Sequence, residues 1–265
     1  MDKFTSEFFR NQIEEWKNNY FNYIDILHFI QEQSKESKVN ISSENIEQYY
    51  LNKNELIKNF ITKVEMEFNK VYTFYLSQKN KIYSFINKQI YSKESYQEYN
   101  SSDYESQFNQ LIQSSNQMCF LTTFIYENIG ALDHILQKFD GYFVQLKPNV
   151  HNYYIATHFS NQSDLLEFFS FEFIDEMFTL FQYIGNELLN SYKLLVKNPQ
   201  QIKNNELKQS SLIESVESYK PKIIPLSIME TKFNTIISNI ESIEKIYQKL
   251  QSINRKWIRI YSYSL

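Results

Sequence analysis

Residues 55–91 read ELIKNFITKVEMEFNKVYTFYLSQKNKIYSFINKQIY, with no glycine or proline to break them. Leu56, Phe60, Val64, Phe68, Val71, Tyr75, Ile82 and Phe85 recur at helical steps and share one face of an α-helix. Ser43, with Glu44 behind it, places an acceptor and a negative charge near unpaired amides and is read as the cap that starts this helix. From that cap to Tyr91, at about 1.5 Å per residue, the helix is a rod roughly 70 Å long. Such a rod is not stable alone, and a second apolar stripe supplies its partner: Phe108, Leu111, Met118, Ile125, Ile129, Leu132, Leu136 and Phe139, interrupted by Ser115 and Thr122. Two long antiparallel helices are therefore expected, the second resuming near Ser106 after a polar loop over Ser92–Glu105 and ending at Gly141.

The same periodicity extends to both ends of the chain. Phe9, Ile13, Trp16, Tyr20, Tyr23, Leu27 and Ile30 predict one first helix from Phe4 to Gln33, with a polar connector over Ser34–Ser42. Beyond the Lys147-Pro148 loop come a short helical segment, Asn152–Phe159, and a longer helix from Asp164, capped by Ser163, to Val196. In that longer helix Leu166, Phe169, Ile174, Met177, Phe181, Ile184 and Leu188 form the face that closes a bundle. Asn198-Pro199, Pro221 and Pro225 mark a linker rich in Lys, Asn, Gln and Ser. Past it, Met229, Phe233, Ile236, Ile240, Ile243, Tyr247 and Leu250 alternate four and three apart. This heptad seam needs a partner, either the chain's own bundle or a second chain. The expected organisation is all-α: a helical domain over 1–197, a linker over 198–225 and a C-terminal amphipathic, coiled-coil-like helix over 226–265.

Composition agrees with that class and narrows the chemistry. The chain has 265 residues, 42% of them hydrophobic, enough to bury one large core or two small ones. Three glycines and four prolines leave few breakers. The 21 Tyr and 22 Phe are weak functional evidence, because Phe, Tyr, Asn, Lys and Ile are all specified by AT-rich codons. A net charge of −4 creates no global field toward nucleic acid or anionic lipid, so any anion site is local. The lone Cys119 makes no internal disulfide and, on a helical apolar face, is read as a small packed hydrophobe in a reducing compartment. The N-terminus has no signal-peptide pattern, and the most apolar stretch, Leu165–Ile184, carries Glu167, Glu172, Asp175 and Glu176. We expect no transmembrane segment and an intracellular location, cytoplasmic or peripheral to a membrane complex.

Three segments carry a more specific signal: Lys3-Phe4 with Glu15-Trp16-Lys17, Tyr20 and Tyr23; Phe60 with Glu67-Phe68, Lys70-Val71 and Phe74-Tyr75; and Asn128 with Ile135-Leu136-Gln137-Lys138-Phe139-Asp140. In order and spacing they resemble the SPX domain, a helical module of eukaryotic phosphate-homeostasis proteins. The resemblance covers about three quarters of the chain and implies the same order of helices: one, two long, then shorter closing ones. It also implies a non-enzymatic regulatory or interaction protein that binds inositol polyphosphates or pyrophosphates through a tyrosine and a lysine cluster. No catalytic domain of the kind often fused to SPX modules is recognised in the remaining residues, so a stand-alone SPX-like protein is expected.

Residue by residue, the resemblance implies a ligand site of Lys3, Tyr23, His134 and Lys138. It also shows what has been lost: Leu27, His134, Gln137 and Gly141 stand where the family has lysines. Charge-assisted contacts to phosphate contribute about 1.5 to 3 kcal/mol each. Losing three of them costs a factor of roughly 10³ or more in affinity. An imidazole at His134 is charged only near or below about pH 6.5 in ordinary surroundings. Taken without the resemblance, Tyr23 is a helix tyrosine packing its ring, and Lys138 a cation facing a helix C-terminus. Glu67 and Lys70 read as a salt bridge that positions the second helix.

Other chemistries have less support in the residues. His28, His134, His151 and His158 fall at no metal-ligand spacing, and glycines at 130, 141 and 185 make no phosphate loop. Asp133 and His134 are adjacent on a helix and so point about 100° apart, away from a shared proton. No catalytic residue, cofactor or metal is assigned. Arg255-Lys256-Trp257-Ile258-Arg259-Ile260-Tyr261 is the one basic-aromatic cluster; its cations suit a helix C-terminus, with membrane or nucleic-acid contact the lesser alternative. The alternative to a sensor is a coiled-coil scaffold or complex subunit without a small ligand, using the C-terminal helix to hold itself or another protein.

Overall fold

The computed structural model describes residues 3–40, 46–91, 99–146, 148–160, 168, 171–198 and 223–264, and among them there is no strand. The α-helices are α1 (Lys3–Arg10), α2 (Tyr23–Asn40), α3 (Ile46–Tyr91), α4 (Ser101–Tyr142), α5 (Val150–Ser160), α6 (Glu172–Lys197) and α7 (Leu226–Ser264), with short 3₁₀ segments at Glu14–Asn19 and Val144–Leu146. The all-α class read from the sequence is thus the observed one. The helices form two compact units: Met1–Gln78, Thr123–Phe171 and Gln248–Leu265 make the first, Lys79–Thr122 and Glu172–Tyr247 the second. Helices α3, α4 and α7 contribute residues to both.

In the first unit α3 and α4 run antiparallel. The Phe60 ring stacks on Phe139 with centroids 4.0 Å apart, and fourteen positions further along α3 Phe74 meets Phe124, fifteen positions back along α4, at 5.1 Å. Trp16 fits edge-on between these two helices, 5.2 Å from Phe74 and 5.9 Å from Phe124. Phe60, Val64, Phe68, Val71, Ile129, Leu136 and Phe139 are fully buried, so both apolar stripes face the core they were expected to build. Aromatic pairs of this geometry add about 0.5 to 1.5 kcal/mol each beyond the area they bury.

The single first helix expected from Phe4 to Gln33 is instead broken twice, although no glycine or proline breaks it. Asn11 Nδ2 donates to the Glu127 carboxylate at 2.9 Å, and the Ile13 amide donates to the Tyr20 hydroxyl at 3.2 Å, which fixes the turn after α1. At the start of α2, the buried Asn128 side chain accepts from the Phe21 amide at 2.7 Å, and Glu67 accepts from the Asn22 amide at 3.1 Å. Acceptors from α3 and α4 thus satisfy amides that a continuous helix would have paired internally. The break lets Phe8, Trp16, Tyr20, Phe21 and Tyr23 all be buried, which one straight helix face could not do.

Other boundaries move for similar local reasons. Helix α4 starts at Ser101, earlier than Ser106, because Asn100 and Asp103 cap each other's amides: Asn100 Oδ1 accepts from the Ser102 and Asp103 amides at 2.8 and 3.0 Å, and the Asp103 carboxylate accepts from the Asn100 amide at 2.9 Å. Asp140 likewise caps α5, accepting from the Val150 and His151 amides at 2.8 and 3.1 Å. The helix expected to run unbroken from Asp164 is interrupted at Phe171, whose φ of 60° lies in the left-handed region that bulky residues rarely enter. Helix α6 then begins at Glu172. The proposed caps Ser43 and Ser163, and residues 199–222 of the expected 198–225 linker, lie outside the described residues.

The C-terminal seam is occupied within the chain. Met229, Ile236, Ile243, Leu250 and Trp257, each seven residues apart, are buried, as is Ile240. The seam thus continues past Leu250 to Trp257. In the second unit Lys232 Nζ donates to Asn109 Oδ1, and Asn239 Nδ2 donates to Asn116 Oδ1 at 2.7 Å, pairs that are both 123 residues apart in sequence. In the first unit Lys256 meets Asp133 at the same separation of 123. Within each unit, then, α7 runs parallel to α4. Ser115, one of the polar interruptions of the α4 stripe, accepts from Asn239 Nδ2 at 2.8 Å, a buried polar contact that specifies register where an apolar pair would not. On α6, Gly185 lies under Phe233: a Cβ there would sit 3.2 Å from the ring. Of the two partners open from sequence, this chain's own helices fill the seam.

Replacing Asn128 by Ala leaves the Phe21 amide buried without its acceptor. We expect a loss of about 1 to 3 kcal/mol of unfolding free energy in urea with almost unchanged helical circular dichroism. A change below about 0.5 kcal/mol would show that the capping bond does not hold the break between the 3₁₀ segment and α2.

Candidate functional site

The side chains expected to bind an anion sit in the first unit, two of them, His134 and Lys138, along one face of α4. His134, Lys138 and Tyr142 are spaced four apart, and Gln137 and Gly141 repeat the same step beside them. These five residues line a concavity of about 410 Å³. It contains the four positions where the family resemblance expects lysines on this helix, with a cation retained only at Lys138 and an ionisable ring at His134. Tyr142, not singled out from the sequence, is at its mouth, 41% exposed, and accepts from Gln31 Nε2 of α2 at 3.4 Å.

Tyr23 reaches this site from the first turn of α2. Its hydroxyl lies 2.8 Å from His134 Nδ1, and the two rings are nearly parallel with centroids 5.7 Å apart. Phe4 of α1 packs against both, 4.2 Å from the imidazole centroid and 5.5 Å from the phenol. The position of Tyr23 therefore depends on the Asn128 and Glu67 contacts just before it, which end the irregular segment and start the helix. Lys70, paired with Glu67 at 2.6 Å, supports that start from α3, as the salt-bridge reading expected. Leu27, one turn beyond Tyr23, is half-buried.

Lys3 precedes Phe4 on α1, and its highly exposed ammonium is 3.9 Å from Glu7. It does not line the concavity with His134 and Lys138. The structure thus pairs the buried Tyr23 with His134 and places His134 and Lys138 along the concavity, which neither Tyr23 nor Lys3 lines.

The Tyr23 and His134 pair has two chemically distinct states. With a neutral imidazole that carries its proton on Nε2, the phenol donates to Nδ1. With a protonated imidazole Nδ1–H donates to the phenol oxygen, which turns the phenol O–H toward another acceptor and adds a positive charge. Both states offer donors, and the second also offers charge, which is the requirement of an anion.

Asp133 faces away from His134, as helix geometry requires. Its Oδ1 accepts from His151 Nε2 of α5 at 2.8 Å and from the Trp257 indole of α7 at 2.9 Å. Its Oδ2 accepts from Gln137 Nε2 at 2.6 Å and from Lys256 Nζ at 3.1 Å. Burial would raise its pKa, but the hydrogen bonds from His151 and Trp257 and the charges of Lys256 and His151 outweigh burial and hold it at about 2. The part of the basic-aromatic cluster nearest Asp133 is therefore committed to α4: Trp257 is buried there and Lys256 is paired. Nearby, burial raises the Glu127 pKa, an effect only partly offset by the Asn11 hydrogen bond and the Lys249 charge.

Among the described residues no group of three or more His, Cys, Asp or Glu is placed to hold a metal, and no helix is long and apolar enough to cross a membrane. Cys119 donates to the Asn239 carbonyl, and burial pushes its thiol up to about 11, which suits packing rather than nucleophilic chemistry. No model of a known protein family matches the chain, and no curated protein matches it either.

The Asp133 carboxyl is held below its ordinary 3.8, at about 2, so its contribution to stability is fully present above about pH 4 and is lost as pH falls toward 2. Asp133→Asn should cost about 2 kcal/mol at neutral pH. The stability difference between wild type and variant should shrink between pH 4 and 2. A difference that stays constant across that window, followed by urea unfolding, would show that the carboxylate charge does not hold α5 and α7 to α4.

Proposed function

We propose that this chain is a non-enzymatic, SPX-like regulatory or interaction protein whose α4 concavity takes an inositol polyphosphate or pyrophosphate, in the manner of phosphate-homeostasis sensors. The observation that carries this reading is the meeting of Tyr23 with His134 at 2.8 Å beside Lys138, at one concavity lined also by Gln137 and Gly141. Tyr23, 111 residues before His134 in sequence, holds the imidazole from behind, and His134 and Lys138, implied by the same resemblance, line one donor-rich concavity. The order of helices and the antiparallel pairing of α3 with α4 in the first unit also support the SPX-like reading.

With Lys138 as the permanent cation on α4 and His134 as a titratable one, affinity is modest and pH-dependent. A bound phosphate favours the imidazolium, so binding strengthens as pH falls through the range where an imidazole ordinarily gains its proton, near 6.5. Salt weakens it by screening.

Calorimetric titration with inositol hexakisphosphate should give dissociation constants in the high-micromolar to millimolar range, tighter at pH 6 than at pH 8. Lys138→Ala should weaken binding about tenfold or more. Binding that is tight, indifferent to pH and unaltered in Lys138→Ala would place the ligand elsewhere.

A further inference from the structure

The concavity contains one feature that the family resemblance does not account for. Gln137, which lines it, stands where a lysine is expected, and its amide is drawn to Asp133 Oδ2 at 2.6 Å. A carboxylate directly behind an anion site opposes the ligand unless a cation neutralises it. That cation comes from the other end of the sequence: Lys256 Nζ of α7 lies 3.1 Å from the same Oδ2 atom. Lys256 and Gln137 therefore share one carboxylate oxygen, so the ammonium lies beside the amide of a residue that lines the concavity.

The Lys256 side chain is 51% exposed, whereas that of Asp133 is 18% exposed. An ammonium has three donors. One contacts Asp133, and the exposure of the side chain leaves the head able to meet a phosphate while it stays paired. Its position is fixed by its neighbour: Trp257 is buried, with its indole 2.9 Å from Asp133 Oδ1. The last part of the heptad seam thus delivers Lys256 to this place. The ordering cost that a long lysine side chain usually incurs on binding is reduced, because the Asp133 contact already restrains it.

We infer that Lys256 is a ligand-binding residue of the α4 concavity, supplying from the C-terminal helix a positive charge that Gln137 no longer provides, for a small anion bearing several phosphate groups. The inference rests on the anion-site reading above and adds to it a partner helix: the ligand bridges α4 and α7 and holds the end of α7 in place. Inositol polyphosphates and inorganic polyphosphates share this chemistry.

The test uses the full chain at low salt, titrated with inositol hexakisphosphate and separately with inorganic tripolyphosphate. Lys256→Met should weaken binding by about tenfold or more, while Lys256→Arg, which keeps the charge, should stay within about threefold of wild type. In wild type, ligand should also slow amide hydrogen exchange over residues 253–259. Binding in Lys256→Met within about twofold of wild type, alongside a weakened Lys138→Ala, would overturn the role of Lys256 and leave the anion site standing. Equal weakening in the Met and Arg variants would also overturn it, since charge would not be the cause. Binding of tripolyphosphate alone, with the Met and Arg pattern intact, would support Lys256 and remove the inositol phosphate reading. No binding of either anion by wild type would remove the site and this inference together.

Discussion

A helix start leaves backbone amides without partners, and when such a start is buried something else must accept from them. In the first unit that acceptor is α4. Asn128 takes the Phe21 amide ahead of α2, and Asp140 takes two amides at the start of α5. Glu67 of α3 assists at Asn22. Because the α2 start is fixed in this way, Tyr23 enters beside His134, and because α5 is fixed, His151 reaches Asp133. The Tyr23–His134 pair beside the concavity and the latch for α7 both follow from capping.

The roles along α4 are divided by helical geometry. Phe124, Ile129, Leu136 and Phe139 face the core, and His134, Lys138 and Tyr142 face the concavity. Asp133 faces α5 and α7. Asp133 and His134 are neighbours in sequence yet point about 100° apart around the helix, which is why their adjacency creates no acid–base pair. The polar positions within the stripe are satisfied as well: Ser115 bonds to the Ile112 carbonyl and Thr122 to the Met118 carbonyl. Such back-bonding lets a hydroxyl be buried at small cost.

The long elements were legible in the sequence because their signal is local. Phe60 and Phe139 belong to stripes that repeat every three or four residues, and the Met229–Leu250 seam announced itself in the same way. The break in the expected first helix was not legible: the acceptor for the Phe21 amide lies 107 residues away, and the broken segment contains no glycine or proline. The start of α4 could have been found from Asn100 and Asp103, a capping box written with Asn and Asp instead of Ser and Glu. In the site, His134 and Lys138 came from the family resemblance, and their spacing of four would have added Tyr142. Lys256 carried no such mark, since its meaning depends on Asp133, 123 residues earlier.

The parallel direction of α7 against α4 within each unit has a consequence for how the protein is made. Helix α7 is synthesised after every helix it packs on, and its contacts with α4 span 120 to 127 residues. Contacts of that separation form slowly and late. While the ribosome is still extending the chain, the surfaces that will bury Ile236 and Ile243 in the second unit and Trp257 in the first have no occupant, a state in which nascent chains are prone to associate or to recruit chaperones. Asp133 meanwhile lacks Lys256 and Trp257. In each unit the earlier helices therefore await the stretch of α7 that completes them, which arrives only after they have been made.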